Sequence, residues 1–322
     1  MRSQNSLALA AVTLSSLTGS ALAQTAKQLF NFTTYVDIEN SILRSNGQLL
    51  FTTLTGPELY TIDTNADEPT AEVVRYLPGV TALTGIARVD DDKFAVAGGV
   101  RGSYSYANET IFTIDFTEAT EENPNITVLE TVATLPDAIM LNGMAALPSN
   151  SHVLVLADSR VGCLWRVDID TGSVAEAVTS EYFLAPDNAT TPIGIDGLKI
   201  TADGSYAYFT NVYLELLGRI PIADNGSALV ATGDAEIVTN FLGDDDWDDF
   251  QLNGTIAYGA QDPYYLSSVD LTTGELTVLI NDTSIAGGPT SVVLKGDGST
   301  IYLTTRGDST TEASGQIIEI TL

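Results

Sequence analysis

Residues 198–211 read LKITADGSYAYFTN: an apolar strand, a tight polar turn, and a second apolar strand. The same form recurs as SILRSNGQLLFTT from Ser41, IARVDDDKFAVAGG from Ile86, MAALPSNSHVLVLADS from Met144, FQLNGTIAYGAQ from Phe250 and SVVLKGDGSTIYLTT from Ser291. After each hairpin and a loop comes a third strand: PELYTID, ETIFTID, GCLWRVDID, GRIPIAD, YYLSSVDL or GQIIEITL. Self-similarity at a period of about 40 to 60 residues marks an array of one supersecondary unit rather than independent cores.

A fourth, weaker strand follows in five units, for example Ala71 to Leu77, Ile126 to Leu135 and Leu276 to Ile280. The sixth unit stops at Leu322 without one, while Lys27 to Thr33, ahead of the first hairpin, belongs to no unit. That spare segment can complete the last unit and close a ring, which removes exposed sheet edges. The expected fold is all-β: a six-bladed β-propeller of four-stranded blades over residues 24–322, closed by its N-terminal strand.

Residues 1–23 have the form of a secretory signal peptide, with Arg2, an apolar run from Leu7 to Leu17, and Ala21-Leu22-Ala23 as a cleavage site. Seven N-x-S/T sequons, at Asn31, Asn108, Asn125, Asn188, Asn225, Asn253 and Asn281, agree with it. The expected location is the secretory-pathway lumen or outside the cell. Cys163 is the only cysteine, so no internal disulfide forms, and Gly-Cys-Leu-Trp at a strand start suits a buried structural thiol. A formal charge of −29 repels nucleic acid and anionic lipid, which leaves a small molecule as the expected partner. His152, the only histidine, sits in a hairpin turn, which argues against a His-based nucleophile relay or a His-rich metal site.

Just before each inner strand stands a comparable residue: Glu39, Thr84, Asn142, Asp196, Asp248 and Pro289. Antiparallel pairing puts the start of a first strand and the end of the second on one face. These six positions should therefore ring one mouth of the central channel. Around them should stand Arg101, Asp158 with Arg160, Asn211 with Tyr213, Gln261 to Tyr265, and Arg306. Glu39, Asn142, Asp196 and Asp248 form an all-oxygen donor set of the kind Ca2+ takes. Without an ion they would repel one another, with at least one pKa raised, or would satisfy strand-end backbone groups. In the run Asp244 to Asp249, the first three acids suit a solvated loop. Asp248 is in register with the other blades, and Asp249 takes its place if the register slips.

At Glu39, Leu141-Asn142-Gly143-Met144 with Ala157-Asp158-Ser159, Asp196-Gly197-Leu198 with Phe209-Thr210-Asn211, and Asp248-Asp249-Phe250, the chain resembles the senescence-marker-protein/gluconolactonase superfamily over essentially its whole mature length. The resemblance implies a calcium-dependent lactonase or esterase with Asp248 as its base; Asp196 stands where an Asn is common. The signal peptide, sequons and diverged axial residues resemble a fungal secretory branch of secondary metabolism that includes hetero-Diels-Alderases. For that branch the resemblance implies a pocket that aligns a quinone methide with an alkene and needs no cofactor. Asp248, Asn142 and Arg306 would then be catalytic. Thr84, Asp158, Asn211, Tyr213 and Tyr264 would bind substrate, with Trp247 and Tyr265 as further wall candidates. A noncatalytic extracellular binding propeller is the third alternative.

Overall fold

The computed structural model describes residues 25–120, 122–241, 246–282, 287–307 and 314–322. The expected signal peptide, residues 1–23, lies outside them. Six antiparallel sheets stand around one axis. Blade 1 is typical, with Ile38–Leu43 innermost, then Gln48–Thr53, Glu58–Asp63 and Ala71–Tyr76. The other inner strands are Ala82–Asp90, Leu141–Leu147, Ile195–Ile200, Trp247–Asn253 and Pro289–Leu294. In blade 6 the outermost strand is Thr25–Asn31, paired antiparallel with Gln316–Thr321, so the N-terminal strand closes the ring as expected. Blade 4 departs from the pattern: two short strands, Leu229–Ala231 and Glu236–Asn240, share the edge of Leu216–Asp224. The helical element among the described residues is one 3-10 turn, Glu181–Phe183, and none of their helices is long and apolar enough to cross a membrane.

Alternation along the strands sends apolar side chains into the spaces between blades. Phe183 meets Phe209 edge-on at 4.8 Å, and Trp247 stacks on Phe241 at 5.0 Å while its indole N–H donates to Ser267 Oγ at 2.8 Å. Trp247 therefore packs between blades rather than walling a pocket, and burying such a ring stabilises by roughly 1.5–3 kcal/mol. Cys163 is a free, buried thiol whose pKa burial raises, so it is chemically quiet.

Each inner strand carries one register break near its start. Leu141 pairs with Asp158 but Met144 with Leu156; Ile195 pairs with Asn211 but Leu198 with Phe209; the same three-against-two step recurs at Ile38/Ser41, Leu83/Ile86 and Trp247/Phe250. A β-bulge inserts an extra residue and turns its side chain away from the sheet. Here it falls on the axial position. In blade 6 the step is two against one, Pro289/Ser291, so the axial residue there is Thr290 and not Pro289. Two bulges need glycine for contact between blades. A Cβ on Gly143 would lie 2.3 Å from the Asp196 carbonyl oxygen, and one on Gly197 would lie 2.7 Å from that of Asp248.

At the hairpin end of blade 3, His152 bridges two neighbouring turns: Nδ1 is 2.7 Å from Asp170 Oδ1, and Nε2 is 3.1 Å from Asp90 Oδ2. Hydrogen bonds to Asp90 and Asp170 raise its pKa above 6.5. A raised folded-state pKa contributes stability that is present in full below the unfolded value and is lost as pH rises through the folded one. His152→Ala is therefore expected to lower the melting temperature at pH 5.5 and to leave it unchanged at pH 9, as measured by thermal denaturation.

Candidate active site at one mouth of the channel

The bulges bring Glu39, Asn142, Asp196, Asp248 and Thr290 onto the wall of one cavity of about 430 Å3, together with Arg306 from the end of blade 6. One carboxylate oxygen each from Glu39, Asp196 and Asp248 lies within 4.8 Å of the others. Glu39 and Asp196 are 5% and 3% exposed, so little water screens them. Burial, then Asp37 and Asp249, push Glu39 up to about 8. Burial and Glu39 push Asp196 well above the carboxylate range, and burial with Asp196 and Glu39 does the same to Asp248. Burial works against the charge of Arg306, but Asp262, Asp248, Asp246 and Asp37 outweigh it and hold the guanidinium charged.

The donor set is entirely oxygen, with Asn142 beside three acids, and Asp196 Oδ1 is buried without a hydrogen-bond partner. Such an orphaned atom in a converging cluster fits a hard divalent cation such as Ca2+.

Several of these neighbours do not follow from the strand period. Asp37, two residues before Glu39, takes an ion pair from Arg101 at 3.3 Å and a hydrogen bond from the Tyr35 hydroxyl at 3.2 Å. Leu54, Met140, Ile193 and Tyr106 form an apolar wall, and the loop from Gly102 to Ser105 stands over the mouth. Next to Tyr106 lies Glu109, 1% exposed, which accepts the Leu141 N–H at 2.7 Å; burial raises it to about 8. It braces the entry of the strand that carries Asn142.

Other expected site residues lie elsewhere. Asp158 is fully buried as a structural clamp, and Asn211 holds the carbonyls of Tyr182 and Leu184 while accepting the Leu214 N–H. Neither is free to meet a substrate. Thr84 is 1% exposed and outside the cavity wall. Tyr213 borders a separate surface hollow with Arg160 and Leu184. Tyr264 lines a hollow that adjoins the site through Arg306. Asp249 is the second residue of the bulge, at the position of Gly143 and Gly197 in their blades, and is held in an ion pair with Lys199 at 2.6 Å, while Asp248, the first, lines the mouth. Of the acids assigned to a solvated loop, Asp244 and Asp245 lie outside the described residues. Asp246 is instead half-buried and is raised to about 6 by burial.

No protein-family model matches the chain. Among solved structures it is similar to regucalcin, a calcium-binding protein of Agrobacterium tumefaciens, with TM-score 0.64 and 16% identity over 92% of each chain. It is also similar to a gluconolactonase of Xanthomonas campestris, with TM-score 0.63 and 11% identity over 94% of this chain and 92% of that one. These likenesses bear on the fold alone, that of a six-bladed propeller. In sequence, the chain is 29% identical over 187 residues to a Phoma sp. protein named "Putative hetero-Diels-Alderase", a match covering 51% of this chain and 52% of that one. The matched stretch therefore spans about half the length of that relative.

Proposed function

We propose that this chain is a propeller enzyme that closes an oxygen heterocycle by hetero-Diels-Alder cycloaddition in the axial mouth. The observation that carries the proposal is a cavity that brings the N–H donors of Asn142 and Arg306 together with an apolar wall at Leu54, Met140, Ile193 and Tyr106; the similarity to the Phoma protein supports it. In such a reaction an O=C–C=C unit and an alkene form one C–O and one C–C bond while three π bonds become one. No proton, electron pair or oxidant leaves or enters.

Negative charge gathers on the carbonyl oxygen in the transition state, so N–H donors aimed at that oxygen lower the barrier. Asn142 and Arg306 are those donors, and Asp248 and Asp262 hold Arg306 charged and in place; the Asp262 contact is 2.7 Å. The apolar wall seats the alkene in line and keeps water, a competing nucleophile for a quinone methide, away from the reacting carbon. A calcium ion held by Glu39, Asn142, Asp196 and Asp248 would supply Lewis-acid polarisation of an oxygen at this place.

The three-carboxylate cluster also favours a second reading, a calcium-dependent lactone or ester hydrolase with Asp248 as base. One assay pair separates the two: cycloaddition of a synthetic ortho-quinone methide with an alkene, and hydrolysis of an aliphatic lactone, each with and without EDTA. Accelerated cycloaddition without lactone hydrolysis supports the cyclase. EDTA-sensitive lactone hydrolysis at enzyme rates with no cycloaddition overturns it.

The same proposal places the protein in the secretory pathway. Asn31, Asn108, Asn188, Asn225, Asn253 and Asn281 are exposed, whereas Asn125 is half-buried with its amide donated to Glu72 at 3.1 Å. Protein from a eukaryotic secretory host is expected to lose mass on endoglycosidase treatment, with Asn125 the least occupied of the seven, as read by peptide mass spectrometry.

A further inference from the structure

Further along the same inner strands, at the opposite end of the channel from the acid cluster, lies a second cavity of about 470 Å3. Its wall takes one apolar side chain from each blade: Ile42, Ile86, Met144, Ile200, Leu252 and Val292. Its size falls within the range of small-molecule pockets. Its described lining lacks the acids that dominate the rest of the protein. The chain carries 42 Asp and Glu against 13 Lys and Arg, yet the described lining residues of this funnel include Arg88 and Lys199 and no acid.

Both cations have capacity to spare. Arg88 donates to the carbonyl oxygens of Leu43, at 2.6 Å, and Asp91; the carboxylates of Asp92 and Asp91 act on its charge from nearby without a hydrogen bond to it. Lys199 donates to the two oxygens of Asp249 at 2.7 and 2.6 Å, and an ammonium has a third N–H. On a molecule of net charge −29, an apolar concavity with two cations and no acid among its described lining residues suits a small anion with a hydrocarbon body.

We propose that this funnel is a second ligand site, distinct from the axial mouth, that binds an amphiphilic monocarboxylate with its hydrocarbon tail between the six blades and its carboxylate on Arg88. The site stands independently of the cyclase reading, because it shares no lining residue with the acid-bearing cavity. Calorimetric titration of the full mature chain with sodium decanoate, and with 1-decanol as the uncharged counterpart, tests it. One site is expected, with decanoate bound about tenfold more tightly than the alcohol, the factor given by one charge-assisted contact. Arg88→Gln should weaken decanoate by about three- to tenfold. Ala146→Trp, which fills the funnel, should abolish binding, and Ala202→Trp at its exposed rim, where the fold tolerates bulk, should weaken it strongly. Asn142→Leu, in the other mouth, should leave it unchanged. No heat with millimolar decanoate, equal affinity for acid and alcohol, or wild-type affinity in both Trp variants would overturn the proposal.

Discussion

Arg306→Ala is expected to lower kcat for cycloaddition by about 100- to 1000-fold, the effect of removing one preorganised donor from a desolvated oxyanion site. The guanidinium lines the mouth beside the acid cluster: Asp262 takes Nη2 at 2.7 Å, and Asp248, Asp246 and Asp37 all stabilise its charge. Its side chain is 44% exposed, so its removal leaves no large void and the fold should persist. Arg306→Lys should recover only part of the rate, since a point charge cannot keep the Asp262 contact and reach the substrate oxygen together. Gly288 sits at φ +68° under the guanidinium, where an added Cβ would come within 2.6 Å of the Arg306 carbon. Gly288→Ala should therefore displace the donor and reproduce part of the loss. The check is steady-state kinetics: a mutant that keeps wild-type kcat removes Arg306 from the chemistry.

The largest expected effect on stability lies outside the site. Asp158→Ala should cost about 3–5 kcal/mol, measured by denaturant unfolding. The side chain is 0% exposed and accepts the backbone N–H groups of Ile139, Met140, Arg160 and Val161 at 2.9–3.1 Å, and the Trp165 indole N–H at 3.2 Å. Truncation leaves those donors unpaired, the Met140 N–H and the Trp165 indole N–H in buried surroundings; four of the five are backbone groups that cannot turn elsewhere. Asp158→Asn should cost less, because one amide oxygen keeps some of the contacts. A change of under 1 kcal/mol for the alanine variant would mean that water or a relaxed loop takes over the clamp.

The repeat was legible because strand, turn and strand recur in six hairpins, and closure by the first strand followed from the blade that lacked one. Five axial residues were legible for the same reason: Glu39, Thr84, Asn142, Asp196 and Asp248 stand at one register position relative to their hairpins. Blade 6 came out one residue off because its bulge is shorter, and Pro289 at the strand start resembles the other positions in sequence while Thr290 occupies theirs. Thr84 keeps the register but stays out of the cavity wall.

Asp158 and Asn211 misled because a polar residue at a strand end suits either a ligand or a cap. Their bonds to backbone two or three residues ahead, to Arg160, Val161 and Leu214, are the local Asx signature that distinguishes the second. Met140 and Ile193 reach the cavity from loops, where no period applies, and Tyr106 does so from the first position of its strand, paired with Arg101. Tyr106 has the clearest physical cue, an aromatic ring that opens a blade 2 strand between Arg101 and Glu109 in the sequence.

The measurement that bears most directly on the axial mouth is the enantiomeric excess of the dihydropyran formed from a prochiral ortho-quinone methide and an alkene. It is to be compared between the wild-type chain and the Asn142→Leu/Arg306→Ala double variant. A cavity that holds both partners in one orientation predicts accelerated formation of one enantiomer by the wild type, and racemic product at the background rate from the variant. Racemic product from the wild type, or an excess that survives in the double variant, would contradict it.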